Sequence, residues 1–390
     1  MVEWKELGQL GKFENIGTDK KIIEGEKLVT LLNYVDVYHH KYIDSSVPQM
    51  QVSASDKKIE DCTVEQGDIF VTPSSETVDD IGHASVITET IPNAVYSYHI
   101  MRYRMFEKNM LLSYYINYAF DTENVKKQIL KKAQGLTRFG LSKDKFASIQ
   151  IPIPSLSEQQ RIVGILDTFA ASIDNLKEQI IQRRKQFEYY RDQLLNLEGK
   201  EGVEMKHISD VAKNFTGLTY KPENVSNEGT LVLRSSNIDE DILAFDDNVF
   251  VQMAIPERAT VKENDILICV RNGSKRLVGK AAMITKKAEG MAFGAFMTIL
   301  RCFEIDCKYL FFVWQSERVK KQYKGDEAMP IAQITAKDFQ RIIIPVPSLS
   351  EQQRIVCILD TFEASIQNLE AQLKQREKQY EYYRNKLLTF

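Results

Sequence analysis

The chain has 390 residues, 43% hydrophobic and 27% charged, which is the composition of an ordinary globular protein with room for two or three domains, each burying its own core. The formal net charge of −3 is not the bulk signature of a nucleic-acid binder, so such a role must rest on local basic surfaces or on basic partners. No run of 18 apolar residues occurs and the opening MVEWKELGQLGKF has no apolar signal core; membrane and secretory readings fall away, and the cytoplasm is the expected compartment.

From the N-terminus, a first block over residues 1–150 carries short alternating or apolar runs at 27–32, 68–72, 84–87 and 96–103, which read as strands, followed by a helical segment at 110–132. Basic side chains that could meet a phosphate or a base are His39, His40 and Lys41 after the first of these strands, with Arg102, Arg104 and Arg138 further on. Each of these alone reads more often as a plain surface residue, and they count only collectively. The five cysteines include no CxxC pair, which argues against a disulfide framework and against a thiolate zinc site.

Residues 151–197 read IPIPSLSEQQRIVGILDTFAASIDNLKEQIIQRRKQFEYYRDQLLNL, and the chain repeats this unit at residues 344–390 with 33 of 47 positions identical. A fixed-offset repeat dictates architecture and is read before local structure. In the first copy apolar or aromatic residues fall at Ile162, Leu166, Phe169, Ile173, Leu176, Ile180, Phe187, Tyr190 and Leu194; in the second they fall at Ile355, Leu359, Phe362, Ile366, Leu369, Leu373, Tyr380, Tyr383 and Leu387. Steps of 3 and 4 sustained in this way specify a coiled-coil seam, interrupted once per copy by Arg183 and Arg376. Ser155 with Glu158, and Ser348 with Glu351, have capping-box spacing, so each helix has a fixed start. Two such seams in one chain, with a folded block between them, pair most simply antiparallel. From Ile162 to Leu197 the helix would rise on the order of 50 Å, close to a turn and a half of B-DNA.

The second block, residues 198–343, has strand-like runs at 230–233, 265–270, 281–284 and 296–301 and a helical segment at 308–323. It echoes the first: Asp68-Ile69 and Gly82 correspond to Asp265-Ile266 and Gly279, and Val125-Lys126-Lys127-Gln128 corresponds to Val319-Lys320-Lys321-Gln322. The expected class is therefore α+β, with two similar domains separated by two long helices in an antiparallel intramolecular coiled coil. After the 265–270 run, Arg271-Asn272-Gly273-Ser274-Lys275-Arg276 puts three cations, an amide and a glycine in one loop, chemistry suited to base edges and phosphates. Arg234 and Asn237 follow the 230–233 run and join that candidate surface. The equivalent stretch of the first block, Thr72-Pro73-Ser74-Ser75-Glu76, is unlike it. Divergent loops on a shared frame are what two different recognition surfaces require.

The arrangement of variable block, PxPSLSEQQRIVxILD helix, variable block and repeated helix resembles the specificity subunits of type I restriction-modification enzymes, over essentially the whole chain. The resemblance implies target-recognition domains at 1–150 and 198–343, repeat helices at 151–197 and 344–390, and a bipartite, asymmetric double-stranded DNA target. It further implies that the helices act as a ruler and as the dock for two modification subunits, through which restriction subunits join. No adenine-methylation motif, phosphate loop or HExxH motif is found in the sequence. The resemblance implies a noncatalytic chain that binds no cofactor, with S-adenosylmethionine, ATP and Mg²⁺ on the partner subunits. Two rival readings are a coiled-coil scaffold whose blocks bind proteins, and an enzyme with an unrecognised active site.

Overall fold

The computed structural model describes residues 2–107, 109–324 and 333–390. It divides into two units, one formed by Met1–Lys177 with Gln372–Phe390 and the other by Glu178–Ala371. Each unit is α+β, and the same plan occurs twice.

In the first unit a five-stranded sheet runs in the order Gly11–Glu14, Met101–Met105, Ile69–Val71, Ala84–Ile87 and Tyr42–Ile43. All its neighbours are antiparallel except the last pair. A three-stranded sheet places Lys27–Leu32 between Met50–Ala54 and a parallel partner, Ala94–Tyr96. In the second unit Ala212–Thr216, Met297–Cys302, Ile266–Cys269 and Ala281–Met283 form the first sheet, and Thr230–Leu233 again pairs in parallel with Ala292–Phe293. The registers are equivalent. Ile69 and Phe70 cross Tyr103 and Arg102, as Ile266 and Leu267 cross Leu300 and Ile299.

Three segments depart from the sequence expectation. The 96–103 run is not one strand, because the turn at Ser97, closed by Ile100 N–H to Ser97 O at 3.1 Å, sends Tyr96 to one sheet and Met101 to the other. The 110–132 helix breaks into Met110–Phe120 and Glu123–Lys132, and the 308–323 helix into Cys307–Gln315 and Glu317–Lys324. A hydroxyl causes each break. Thr122 Oγ1 accepts the Val125 N–H and donates to Ala119 O at 2.7 Å, and Ser316 Oγ accepts the Val319 N–H and donates to Val313 O at 2.6 Å. A Ser or Thr that caps the next helix competes with continuing the last one.

The long helices are Leu156–Leu194 and Leu349–Leu387, each 39 residues. Just before each, Gln150–Ile153 pairs with Glu3–Glu6 and Ile343–Val346 pairs with Glu204–His207. The Ser155 and Ser348 hydroxyls accept the Glu158 and Glu351 N–H groups at 3.4 and 3.3 Å, but the carboxylates do not return to complete the capping box. Instead Glu158 takes Arg161 at 2.8 and 2.6 Å and Glu351 takes Arg354 at 2.7 Å twice. A charge-assisted bidentate pair outcompetes a single bond to a backbone N–H.

The seam residues divide into two groups. Ile162 and Leu166 are buried with Tyr115, Phe146 and Ile151 in the core of the first unit, joined by Tyr380, Leu387 and Leu388 from the end of the second long helix. Ile355 and Leu359 are buried with Tyr309, Phe312 and Ile344 in the second unit, joined by Phe187, Leu194, Leu195 and Leu197. The first turns of each helix thus anchor to the block preceding it, and the following turns meet the other helix. In the first unit Phe169 stacks on Tyr383 at 5.4 Å with the Arg376 guanidinium 5.6 Å from the Phe169 ring, and Lys177 lies 3.9 Å from Glu377. In the second, Tyr190 stacks on Phe362 at 5.5 Å and Arg184 pairs with Glu370 at 2.5 Å. Partner numbers that fall along one helix as they rise along the other make the pairing antiparallel in each unit. Ile173, Ile180 and Ile366 are buried on this stretch, whereas Leu176, Leu369 and Leu373 are half-buried.

Candidate nucleic-acid interface

The loop after Ile266–Cys269 is built from short-range bonds. Asn272 Oδ1 accepts the Ser274 N–H at 2.9 Å, which turns the chain, and Asn272 Nδ2 donates to Ser235 Oγ at 3.1 Å, which ties the loop to the turn after Thr230–Leu233. A short 3₁₀ turn over Lys275–Leu277 follows. Arg271, Lys275 and Arg276 are exposed and Ser274 is half-buried. The Arg271 guanidinium lies 5.4 Å from the ring centre of Phe296, an aromatic that is itself exposed, and the Arg271 backbone N–H donates to Phe296 O at 3.3 Å. Three cations and an exposed ring on one surface can meet both phosphate and base.

Gly279 closes this loop with φ +89°, and a Cβ there would stand 2.2 Å from Tyr323 Oη. Its counterpart Gly82 has φ +87° and a Cβ there would stand 2.5 Å from Ile129 Cδ1. The two echoed glycines are therefore demanded by the frame.

The remaining candidates of the second unit have different tasks. Asn237 is fully buried: its Oδ1 accepts the Arg234 N–H at 2.9 Å and its Nδ2 donates to Ala244 O at 3.1 Å, so it shapes the turn and is withdrawn from the contact set. Arg234 is half-buried and bonds Asp247 at 2.8 Å beside that turn.

In the first unit the structure separates the candidates further. Arg102 is 4% exposed, paired with Glu14 at 2.5 Å and donating to Thr63 O at 2.8 Å, with its guanidinium 5.2 Å from the Tyr96 ring centre. Arg104 grips Asp68 with Nε and Nη2, both at 2.6 Å, and reaches Glu65 at 2.9 Å. Asp68 is 2% exposed, and its counterpart Asp265, also 2% exposed, is gripped by Arg301 at 2.8 and 2.7 Å. Burial pushes the Asp68 carboxyl up, while the Arg104 fork pulls it down. Arg104 is thus committed to the buried Asp68 and the buried Arg102 to the half-buried Glu14, and the contact role expected of them is corrected to one in the frame. Lys41 is likewise held, at 2.5 Å from Asp121 and 4.4 Å from the Tyr118 ring centre.

His39, His40 and Arg138 remain on the surface. His40 Nδ1 is 3.0 Å from Asp36 O, and the His39 ring meets Tyr38 edge-on at 5.1 Å. Tyr38 also packs on His83 at 4.4 Å, and burial pushes the His83 imidazole below its ordinary value. Arg138 Nη2 reaches Ser74 Oγ at 3.3 Å, in the loop equivalent to Arg271–Arg276, where Phe139–Gly140 pairs with Ser74–Ser75. Arg138 is therefore brought to the diverged loop of the first unit. Sequence reasoning missed Phe296, Ser235 and the exposed Tyr98, whose ring lies 4.0 Å from His99. The available signal was an aromatic directly before a strand, at the edge of a cationic loop.

Among the described residues no group of His, Cys, Asp or Glu could hold a metal ion, and no helix is long and apolar enough to cross a membrane. All five cysteines are free thiols.

The family model of the type I restriction modification DNA specificity domain matches residues 1–184 and again residues 200–377. The chain belongs to this family. Among its relatives, the EcoR124I/EcoR124II specificity subunit of Escherichia coli is 30% identical over 267 residues, covering 63% of this chain and 64% of that one. A putative type I restriction enzyme specificity subunit of Haemophilus influenzae is 28% identical over 272 residues, covering 66% and 68%. The match to the E. coli relative thus spans just under two thirds of that protein's length. Among solved structures, the S subunit of a type I restriction-modification system from M. genitalium aligns over 100% of this chain and 96% of its own with TM-score 0.54 at 15% identity. A chain from a structure titled for complex assembly and conformational transition of the type I R-M system aligns over 99% and 96% with TM-score 0.62 at 16% identity. At such identities these two likenesses speak for the fold alone.

Proposed function

We propose that this specificity-domain protein is the noncatalytic DNA-recognition subunit of a type I restriction-modification complex. Its two units each read one half of a bipartite, asymmetric duplex site and so direct adenine methylation and ATP-dependent restriction by partner subunits. The observation that carries the reading is a frame repeated with conserved supports and diverged loops. Asp68 with Arg104 and Gly82 recur as Asp265 with Arg301 and Gly279, while the first unit carries Thr72–Glu76 at the place in the frame where the second carries Arg271–Arg276. A frame kept and a surface changed is the signature of two readers with different targets. A coiled-coil scaffold would not need a cationic, aromatic-edged loop in one unit at the place where the other carries a different one.

Arg271, Asn272, Ser274, Lys275 and Arg276 form the contact set of the second unit with Phe296, and Arg234 flanks it. Arg138, His39 and His40 are the contact set of the first. The long helices space the readers and dock two modification subunits, through which restriction subunits join. S-adenosylmethionine belongs to the modification subunits and ATP with Mg²⁺ to the restriction subunits, and the assembly works in the cytoplasm. Genome-wide mapping of methylated adenines in cells with and without this chain tests the proposal. A set of bipartite sites that loses methylation with the chain supports it, and an unchanged methylation map refutes it.

A further inference from the structure

In the second unit one cation of a long helix holds two carboxylates that come from different elements. Arg184, on Leu156–Leu194, donates from Nη2 to Glu370 Oε1 of Leu349–Leu387 and to Glu240 Oε2 of the globular block, both at 2.5 Å. Glu240 is at the tip of a hairpin in which Ile238–Asp239 pairs antiparallel with Ile242–Leu243. Its two-residue turn, Glu240-Asp241, has φ +45° and +67°, the left-handed conformation that asparagine and glycine adopt most readily. Backbone preference therefore does not select a glutamate here, whereas the contact its side chain makes with Arg184 does.

Two bonds join this hairpin to the candidate contact loop. Lys280, directly after Gly279, donates from Nζ to Ile238 O, and Asn272 Nδ2 donates to Ser235 Oγ, three residues before Ile238. A tilt of the hairpin on the helices therefore carries Arg271–Arg276 with it. The first unit ties the corresponding segment down by other means. There Tyr42, directly after Lys41, donates from Oη to Asp167 of the long helix at 2.5 Å, and Tyr118 Oη reaches the same carboxylate. The second unit repeats the aspartate as Asp360, but Phe312 stands four residues before Ser316 where Tyr118 stands four before Thr122, so that hydroxyl is gone. Asp360 takes Lys308 at 2.7 Å instead, and the hairpin supplies the tie to the helices.

The side chains of Arg184, Glu240 and Glu370 are 39%, 59% and 37% exposed, and ion pairs in such surroundings add little to stability. With two carboxylates on it, Arg184 also offers a phosphate no net charge. What two short bonds from one nitrogen fix is direction. We infer that Glu240, Arg184 and Glu370 form a strut that sets the attitude of the second reader on its helix pair. Arg184 and Glu240 are then positioning residues for the number of base pairs accepted between the half-sites, a property that helix length alone does not fix. The inference rests on the function proposed above, which supplies the two half-sites.

The test is adenine methylation by the full chain assembled with its modification subunits, on duplexes whose native half-sites are separated by the native spacer or by one base pair more or fewer. Wild type should favour the native spacer. Arg184→Ala and Glu240→Ala should each raise methylation of the off-length duplexes relative to the native one by about three- to fivefold, the bias an exposed ion pair can supply. The bases required in each half-site and the melting temperature should stay as in wild type. Arg184→Glu with Glu240→Arg places a guanidinium between two carboxylates again and should restore the wild-type spacer preference, which a loss of folding would not permit; this swap decides the matter if a single variant melts early. Spacer preference unchanged in both single variants would overturn the inference, as would relaxed half-site bases with the spacer still strict, or a swap that restores nothing. If wild type directs no methylation at any spacer, it is the proposed function that fails.

Discussion

Arg104→Ala separates a residue of the frame from a residue of the interface. Asp68 is 2% exposed and its two strongest bonds come from the Arg104 guanidinium at 2.6 Å each, with the Glu65 N–H adding one at 2.9 Å. Removing one partner of a buried ion pair costs about 3–5 kcal/mol, and since the Arg104 side chain is 29% exposed the lower end applies, about 3 kcal/mol. For a folding unit of this size that is a fall of roughly 6–12 °C in melting temperature. The deficit carries a pH signature. Burial raises the Asp68 carboxyl above its ordinary value even with Arg104 in place, and without the arginine it rises further. A carboxyl raised in the folded state binds protons there more readily than in the unfolded chain, so the contribution to stability grows as pH falls through the folded value and shrinks as pH rises. The gap between variant and wild type should therefore narrow from pH 7 toward pH 5 in differential scanning calorimetry. An unshifted melting temperature combined with weakened duplex binding would refute the frame assignment and return Arg104 to the interface.

Arg271→Ala, by contrast, should leave the melting temperature unchanged, cost about 1–3 kcal/mol of duplex affinity in the assembled complex and relax one position of one half-site. An equal loss on all sequences would make it a phosphate contact. Arg301→Ala should repeat the stability loss of Arg104→Ala in the second unit, since Arg301 holds Asp265 in the same fork; a thermally silent variant would break the equivalence of the units. Seven residues added to each long helix at equivalent positions keep the heptad phase and add about 10 Å, so the spacer of the methylated site should grow by roughly three base pairs. An unchanged spacer would remove the ruler.

What the sequence made legible was local or repeated. The 39-residue helices begin one residue after Ser155 and Ser348, where the cap signal stood, and of the heptad positions Ile162, Leu166, Ile173, Ile180, Ile355, Leu359 and Ile366 bury while Tyr190 and Tyr383 stay exposed. The echo of Asp68 and Gly82 in Asp265 and Gly279 exposed a shared frame because each pair solves one steric or electrostatic problem twice. Features decided by distant partners were out of reach. The partners of Arg104 and Arg102, Asp68 and Glu14, lie 36 and 88 positions away in the chain, so a charge read as a contact turned out to be an internal fork. Thr122 and Ser316 broke helices that periodicity ran together, because a cap for the next helix is also a legitimate interior residue of a longer one. Phe296 escaped notice since an exposed aromatic before a strand looks like core until burial is known.

Two independent readers on one chain is the claim on which the function rests, and exchange of residues 198–343 for the same block of a family member with a different target tests it most directly. Methylated adenines mapped in cells carrying the exchanged chain should keep one half-site and replace the other. Both halves changing together, or neither changing, would contradict the account.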